Sequence, residues 1–317
     1  MKPKLVLTRA IPEAAIAKLR EYFELWVNPF DRPITHAELR AELHDAKALI
    51  CLLTDDINKD IIDSAPELKV ISAYAVGYNN IDVDYATNKH IAVCNTAGAL
   101  TESTADLTWA LIMATCRRIT ESEAFLRAGK FRAWEPMLML GQDVYGKTLG
   151  IIGMGRIGQA VARRASGFNM KILYSGNREK ELPFDAQWVN LEYLMRNADI
   201  ISLHAPLSKE TKHMIDKAAI RKMKPSAVLI NTARGAIVDE TELISALSEK
   251  RIFAAGFDVY EHEPRIPEEL LKLDNVVLLP HIGSASIETR TAMGIMAAEN
   301  AIAIMEGRRA LSQVNIW

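Results

Sequence analysis

Three side chains in the C-terminal half of this sequence could together reduce a small keto acid. Arg234 stands in Leu229-Ile230-Asn231-Thr232-Ala233-Arg234-Gly235, Glu263 in Phe257-Asp258-Val259-Tyr260-Glu261-His262-Glu263-Pro264, and His281 in Leu278-Leu279-Pro280-His281-Ile282-Gly283-Ser284. Hydride transfer to a 2-oxo acid creates an alkoxide that needs a proton, next to a carboxylate that needs a cation. An imidazole supplies the proton and a guanidinium the cation, while a neighbouring carboxylate favours the charged imidazole and fixes its orientation. Each residue follows an apolar run, and in a parallel sheet the residues beyond strand C-termini collect at the edge where ligands bind. Taken singly, each is an ordinary loop or ion-pair residue; their order downstream of a glycine turn singles them out. His262, beside the carboxylate, is assigned to solvent.

The hydride donor has its own signature in Leu149-Gly150-Ile151-Ile152-Gly153-Met154-Gly155-Arg156-Ile157-Gly158, an apolar strand running into a glycine-spaced turn and a helix. Gly153 permits the tight turn, Gly155 lets the backbone approach a pyrophosphate, and Gly158 lets the helix pack close to its strand. The helix start around Met154, Arg156 and Ile157 offers unpaired N–H groups to the anion. After the next strand, Met170 to Tyr174, the chain reads Ser175-Gly176-Asn177-Arg178, where an acidic residue would bind the ribose hydroxyl of NAD. Ser175, Asn177 and Arg178 suit a 2′-phosphate instead, so NADP(H) is the expected cofactor and NAD(H) the second choice. A solvated turn arginine is the plain alternative for Arg178.

These residues need a scaffold, and the chain supplies one. At 317 residues and 49% hydrophobic content, about two domains are expected, each with a packed core. The net charge of −2 with interspersed signs gives no sign of nucleic-acid binding. Short apolar runs (Lys4–Leu7, Leu25–Val27, Ala48–Leu52, Val70–Ala73) alternate with helical patterns (Pro12–Tyr22, Thr35–Leu43, Lys59–Ser64) in the first hundred residues. A second series follows the glycine turn with strands at Ile200–Leu203, Ala227–Ile230, Ala254–Phe257 and Val276–Leu279, and a helix at Glu240–Ser248. Long helical patterns at Glu102–Ile119 and Ile287–Glu306 carry the chain into and out of this series. The expected fold is α/β, with two doubly wound parallel-sheet domains and a cleft between them. One is a Rossmann dinucleotide-binding domain, residues 99–286, and the other a flavodoxin-like substrate domain, residues 1–98 with 287–317. Cys51, Cys94 and Cys116 read as buried free thiols, and with no 18-residue apolar span or export signal the expected location is cytoplasmic, off the membrane. The seven histidines show no ligand spacing for a metal.

The motifs together resemble the D-isomer-specific 2-hydroxyacid dehydrogenases, most closely the glyoxylate/hydroxypyruvate reductase branch. The resemblance runs through AYAVGYNNID (73–82), CNTAGALTESTADLTWAL (94–111), DVYGKTLGIIGMGRIGQA (143–160), NTARGAIVDE (231–240), FDVYEHEP (257–264) and LPHIGSAS (279–286). It implies that Arg234, Glu263 and His281 are the substrate-binding arginine, the glutamate and the acid/base histidine. It further implies that Thr104, Thr232 and Asp258 lie at the cofactor, that amides at Val76 and Gly77 hold the substrate carboxylate, and that Leu53 closes the pocket. Asp258 would serve equally as a strand-end cap, and Val76-Gly77 as a plain turn. Trp134 resembles a tryptophan that reaches into the neighbouring subunit's site, with a buried interface aromatic as the alternative. The departures, Ala97 for proline and Asn79 for aspartate, leave these assignments intact.

The expected activity is therefore NADPH-dependent reduction of glyoxylate and hydroxypyruvate to glycolate and D-glycerate. A D-3-phosphoglycerate or other D-2-hydroxyacid dehydrogenase is the second reading; against phosphoglycerate, no regulatory domain is appended. A dinucleotide-sensing adaptor, like the family's corepressors, is the third. A homodimer is expected from the family, with Leu107, Trp109, Leu111 and Ile112 forming either its surface or core.

Overall fold

The computed structural model describes all 317 residues and divides into two compact units, Met1–Leu100 with Ser284–Trp317, and Thr101–Gly283. The first unit begins β1 (Lys4–Leu7), α1 (Glu13–Tyr22), β2 (Glu24–Val27), α2 (His36–Leu43), β3 (Ala48–Cys51), α3 (Lys59–Asp63), β4 (Val70–Ala73), α4 (Val83–Asn88), β5 (Ala92–Cys94). The second contains α5 (Thr101–Cys116), α6 (Ile119–Arg127), β6 (Thr148–Ile152), α7 (Arg156–Ala165), β7 (Lys171–Ser175), β8 (Gln187–Trp188), α8 (Leu191–Asn197), β9 (Ile200–Leu203), α9 (Lys217–Lys222), β10 (Val228–Asn231), α10 (Glu240–Ser248), β11 (Ala254–Phe257), α11 (Glu268–Leu271) and β12 (Val276–Leu278). The chain then returns to the first unit as α12 (Ile287–Met305).

Both sheets are wholly parallel. The first has the order β2-β1-β3-β4-β5, the flavodoxin-like arrangement, and the second runs β12-β11-β10-β9-β6-β7-β8, the doubly wound order of dinucleotide-binding folds with one strand added. Strands buried on both faces are apolar at nearly every position, with the few polar side chains such as Ser72 hydrogen-bonded. In the second unit Leu149 and Ile151 of β6 join a core under α5 and α7, whereas Ile152 joins the core on the opposite face with Ile201, Leu203 and Leu229. In the first unit α12 packs on α1 and on β3 to β5, and is tied down where Ser72 Oγ donates to the Ala297 carbonyl.

The helical pattern at Glu102–Ile119 is α5, which stops at Cys116, and a second helix, α6, follows it where none was expected. The Cys116 carbonyl accepts the Gln142 N–H at 2.8 Å, and Arg118 adopts a left-handed conformation (φ 52°) before α6 starts. Ile119, the last residue of the expected pattern, is the exposed first residue of α6. Trp109, Leu111 and Ile112 belong to the core of the single chain and offer no free surface. The short strand β5 and the two-residue β8 were missed, since so few residues carry no period of their own.

Trp109 stacks on Phe168 with ring centroids 4.6 Å apart, and its indole N–H donates to the Val161 carbonyl at 3.0 Å. Trp109→Ala removes both contacts and leaves a cavity. Denaturant unfolding should show a loss of about 3–5 kcal/mol, with Trp109→Phe losing distinctly less.

Candidate active site

Strand register brings the functional loops of the second unit to one level. Leu278, Phe257, Asn231, Leu203, Ile152 and Ser175 are paired neighbours across β12, β11, β10, β9, β6 and β7. The segments holding His281, Asp258 to Glu263, Thr232 to Arg234, His204, Gly153 to Gly158 and Asn177-Arg178 all begin beyond that row, at the carboxyl edge.

At the glycine turn, Gly153 has φ +96°, and a Cβ there would lie 2.5 Å from the Ala205 nitrogen. A Cβ on Gly158 would come within 2.2 Å of the Gly153 carbonyl oxygen, so the helix sits close on its turn. Gly155 is different, because a Cβ there would project into open space. Like α1, α6 and α11, helix α7 has no side-chain N-cap, which leaves the Arg156, Ile157 and Gly158 amides for an external acceptor. Met154 is buried beneath the turn. Beside it, His204 bonds Ser202 Oγ through Nε2 at 2.8 Å while its buried Nδ1 has no partner; burial lowers its pKa to about 3, so the ring is neutral. These residues fit a dinucleotide pyrophosphate. Ser175 ends β7, its carbonyl accepting the Gly153 N–H, and Asn177 and Arg178 are exposed, the arginine making no ion pair.

The structure brings His281 to Glu263. His281 Nδ1 lies 2.7 Å from Glu263 Oε2. An ionised carboxylate can only accept, so Nδ1 carries the proton and Nε2 is the nitrogen left for chemistry. Glu263 Oε1 accepts the Tyr260 N–H at 3.0 Å. Burial alone would raise the Glu263 carboxyl, but the His281 hydrogen bond and charge, the Tyr260 amide and the Arg234 charge outweigh it and hold its pKa below 4.5. Arg234 Nη1 donates to the Ala233 carbonyl, and burial lowers its pKa, with Glu263 opposing the shift; an arginine stays charged regardless. Asn231 shapes this loop by accepting the Ala233 N–H and donating to the Arg234 carbonyl.

Asp258 caps the histidine loop. Its two carboxylate oxygens accept the Ile282 and Gly283 amides, each at 2.7 Å, directly after His281, which is held left-handed at φ 55°. Burial raises the Asp258 carboxyl, against the pull of those amides and of His281. Thr104 is buried on α5, its carbonyl accepting from Thr108, whose hydroxyl in turn meets that of Thr232 at 2.9 Å. Tyr260, absent from the sequence-based site, donates its hydroxyl to the Leu279 carbonyl and so joins the glutamate loop to the histidine loop; burial and the Asp258 charge push its pKa up to about 12. An aromatic between two motifs gives no signal of such a bond.

In the first unit Leu53 follows β3 and is exposed, and Val76 and Gly77 follow β4, half-buried. Asn80 fastens the Leu53 loop by donating to the Leu52 and Asp55 carbonyls, and Asn95 donates to the Val76 carbonyl. Trp134 is 80% exposed in the segment after α6. His262 is exposed, as assigned.

Because the Glu263 pKa is lower folded than unfolded, its stabilising contribution is fully present above pH 4.5 and is lost as pH falls through the folded value. Glu263→Gln should therefore be less stable than wild type at about pH 7, the gap closing in buffers below that point. Urea melts across pH would contradict this pairing if the gap widened in acid.

The chain as a whole is similar to known proteins. Residues 109–283 match the family model described as D-isomer specific 2-hydroxyacid dehydrogenase, NAD binding domain. The chain is similar to the glyoxylate reductase of Korarchaeum cryptofilum, 50% identical over 320 residues that cover 99% of this chain and 96% of the relative. It is also similar to that of Thermococcus litoralis, 48% identical over 324 residues covering 99% and 97%. Among solved structures, the NADPH-dependent glyoxylate/hydroxypyruvate reductase of Sinorhizobium meliloti in complex with NADP and malonate superposes with TM-score 0.89 at 31% identity, covering 99% of this chain and 97% of that one. A Thermus thermophilus protein superposes at 0.92 with 42% identity, covering 98% and 100%.

Proposed function

The chain belongs to the D-isomer-specific 2-hydroxyacid dehydrogenase family and is an NAD(P)-dependent oxidoreductase, and from that premise we propose that it reduces glyoxylate and hydroxypyruvate with NADPH, giving glycolate and D-glycerate. The His281–Glu263 hydrogen bond carries this reading, since it leaves one imidazole nitrogen oriented and free, on a carboxylate that also feels the charge of the half-buried Arg234. When bound, the reduced nicotinamide supplies the hydride to the carbonyl carbon. His281 gives its Nε2 proton to the carbonyl oxygen, and Glu263 stabilises the imidazolium before transfer and holds the ring afterwards. Arg234 neutralises the substrate carboxylate, and Val76, Gly77 and Leu53 are assigned to the substrate on the family resemblance. Gly153, Gly155, Gly158 and the Met154 to Ile157 backbone hold the pyrophosphate; Ser175, Asn177 and Arg178 hold the 2′-phosphate; Thr104, Thr232 and Asp258 line or support the nicotinamide end. The unpaired Arg178 guanidinium supports NADPH over NADH.

The reading includes a homodimer in the cytoplasm. Support for the dimer is the run of exposed apolar side chains Ile119, Leu126, Phe131, Trp134, Met137 and Leu140, which solvent alone would not favour on a monomer. Trp134 is the residue that would reach the second copy's substrate. No helix is long and apolar enough to cross a membrane, and all three cysteines are buried and free.

Absorbance at 340 nm with NADPH and glyoxylate should fall in the presence of the protein, and His281→Asn should cut turnover by about 10²–10⁴ while cofactor binding persists. Arg178→Ala should raise the KM for NADPH and leave that for NADH nearly unchanged. No oxidation with any small 2-oxo acid despite cofactor binding would point instead to a dinucleotide-sensing adaptor. Sedimentation should report a dimer that Trp134→Asp weakens; a monomer in the wild type would remove the second copy from the site.

A further inference from the structure

The proposed chemistry needs Arg234 and Glu263 in fixed register, yet they stand on loops after different strands. The two loops touch through backbone. A Cβ on Gly235 would lie 1.9 Å from the Tyr260 carbonyl carbon and 2.3 Å from the Glu261 nitrogen, so only glycine fits there. A third segment closes the arrangement. The His213 N–H donates to the Ala236 carbonyl at 2.8 Å, and the Ile215 N–H to the Ile237 carbonyl at 3.1 Å, fastening this segment beside the arginine loop. The His213 ring then reaches across to the other loop, its Nε2 2.7 Å from Glu261 Oε1. Glu261 is the better buried partner, with 15% of its side chain exposed against 37% for His213.

We propose that the His213–Glu261 pair is a positioning clamp that holds the Glu263 loop against the Arg234 loop, resting on the reductase reading of the site. Contacts therefore run in a ring, from His213 backbone to Ala236, from Gly235 to the Tyr260–Glu261 peptide, and from Glu261 back to His213. Glu263 stands two residues beyond Glu261 and takes the Tyr260 amide, so displacement of this peptide moves the carboxylate that orients His281. Glu261 can only accept, hence Nε2 of His213 donates, in either the neutral or the charged ring. A glutamine amide can replace that donor, whereas alanine cannot.

In the full-length protein with NADPH, His213→Ala should lower kcat for glyoxylate by about ten- to a hundredfold, the scale of a small misplacement of catalytic groups. The KM for NADPH should stay within about twofold, because the glycine turn is untouched. His213→Gln should recover most of the lost kcat. Independently of turnover, the His281 Nδ1 proton in the NMR spectrum should shift in His213→Ala and return in His213→Gln. Wild-type kcat in His213→Ala, an unmoved His281 signal, or a glutamine variant as impaired as alanine would each overturn the clamp. Should wild type fail to reduce glyoxylate, the NMR comparison still decides the clamp alone.

Discussion

The site depends on the common direction and level register of the seven strands in the second sheet. Parallel strands in register end together, so six loops separated by up to more than a hundred residues in sequence begin from one row running from Leu278 to Ser175. Burial on both faces enforces that row, because sliding one strand by a residue would exchange its two apolar faces and break the core packing on each side. The polar groups need no further cause to be neighbours; they need only loops short enough to stay near the edge.

What the loops add is orientation. His281 occupies a left-handed conformation that a residue with a Cβ adopts at some cost, and the Asp258 carboxylate compensates by accepting both following amides. Tyr260 spans from the glutamate loop to the Leu279 carbonyl, and Glu263 returns to both the Tyr260 amide and the imidazole. Each acidic group near the histidine therefore has a different task. Asp258 fixes backbone, Glu263 fixes the ring, and Glu261 fixes the loop that carries Glu263. The charges are kept tolerable by these hydrogen bonds, since a partly buried carboxylate without donors would be costly.

The glycine turn shows the same division between shape and chemistry. Gly153 and Gly158 are required by backbone and close packing inside the chain, whereas nothing in the chain occupies the space beyond Gly155. A helix start lacking a side-chain cap beside that space is incomplete by itself. A bound anion would complete it.

Most strands, the glycine turn and the three polar loops were legible in the sequence, because apolar runs, glycine spacing and the residues after strands are local signals that burial and backbone sterics impose directly. Arg234, Glu263 and His281 could be named as candidates for the same reason. Only the tertiary structure decided which of their neighbours hold them. The Tyr260–Leu279, Asp258–Gly283 and His213–Glu261 bonds join residues 19, 25 and 48 positions apart, distances at which no periodicity operates. The end of α5 also depends on a distant partner, since the carbonyl of Cys116 is claimed by Gln142, far along the chain. Sequence determined which segments must be buried and which atoms could react; the pairing of specific donors with specific acceptors waited on the folded arrangement of the loops.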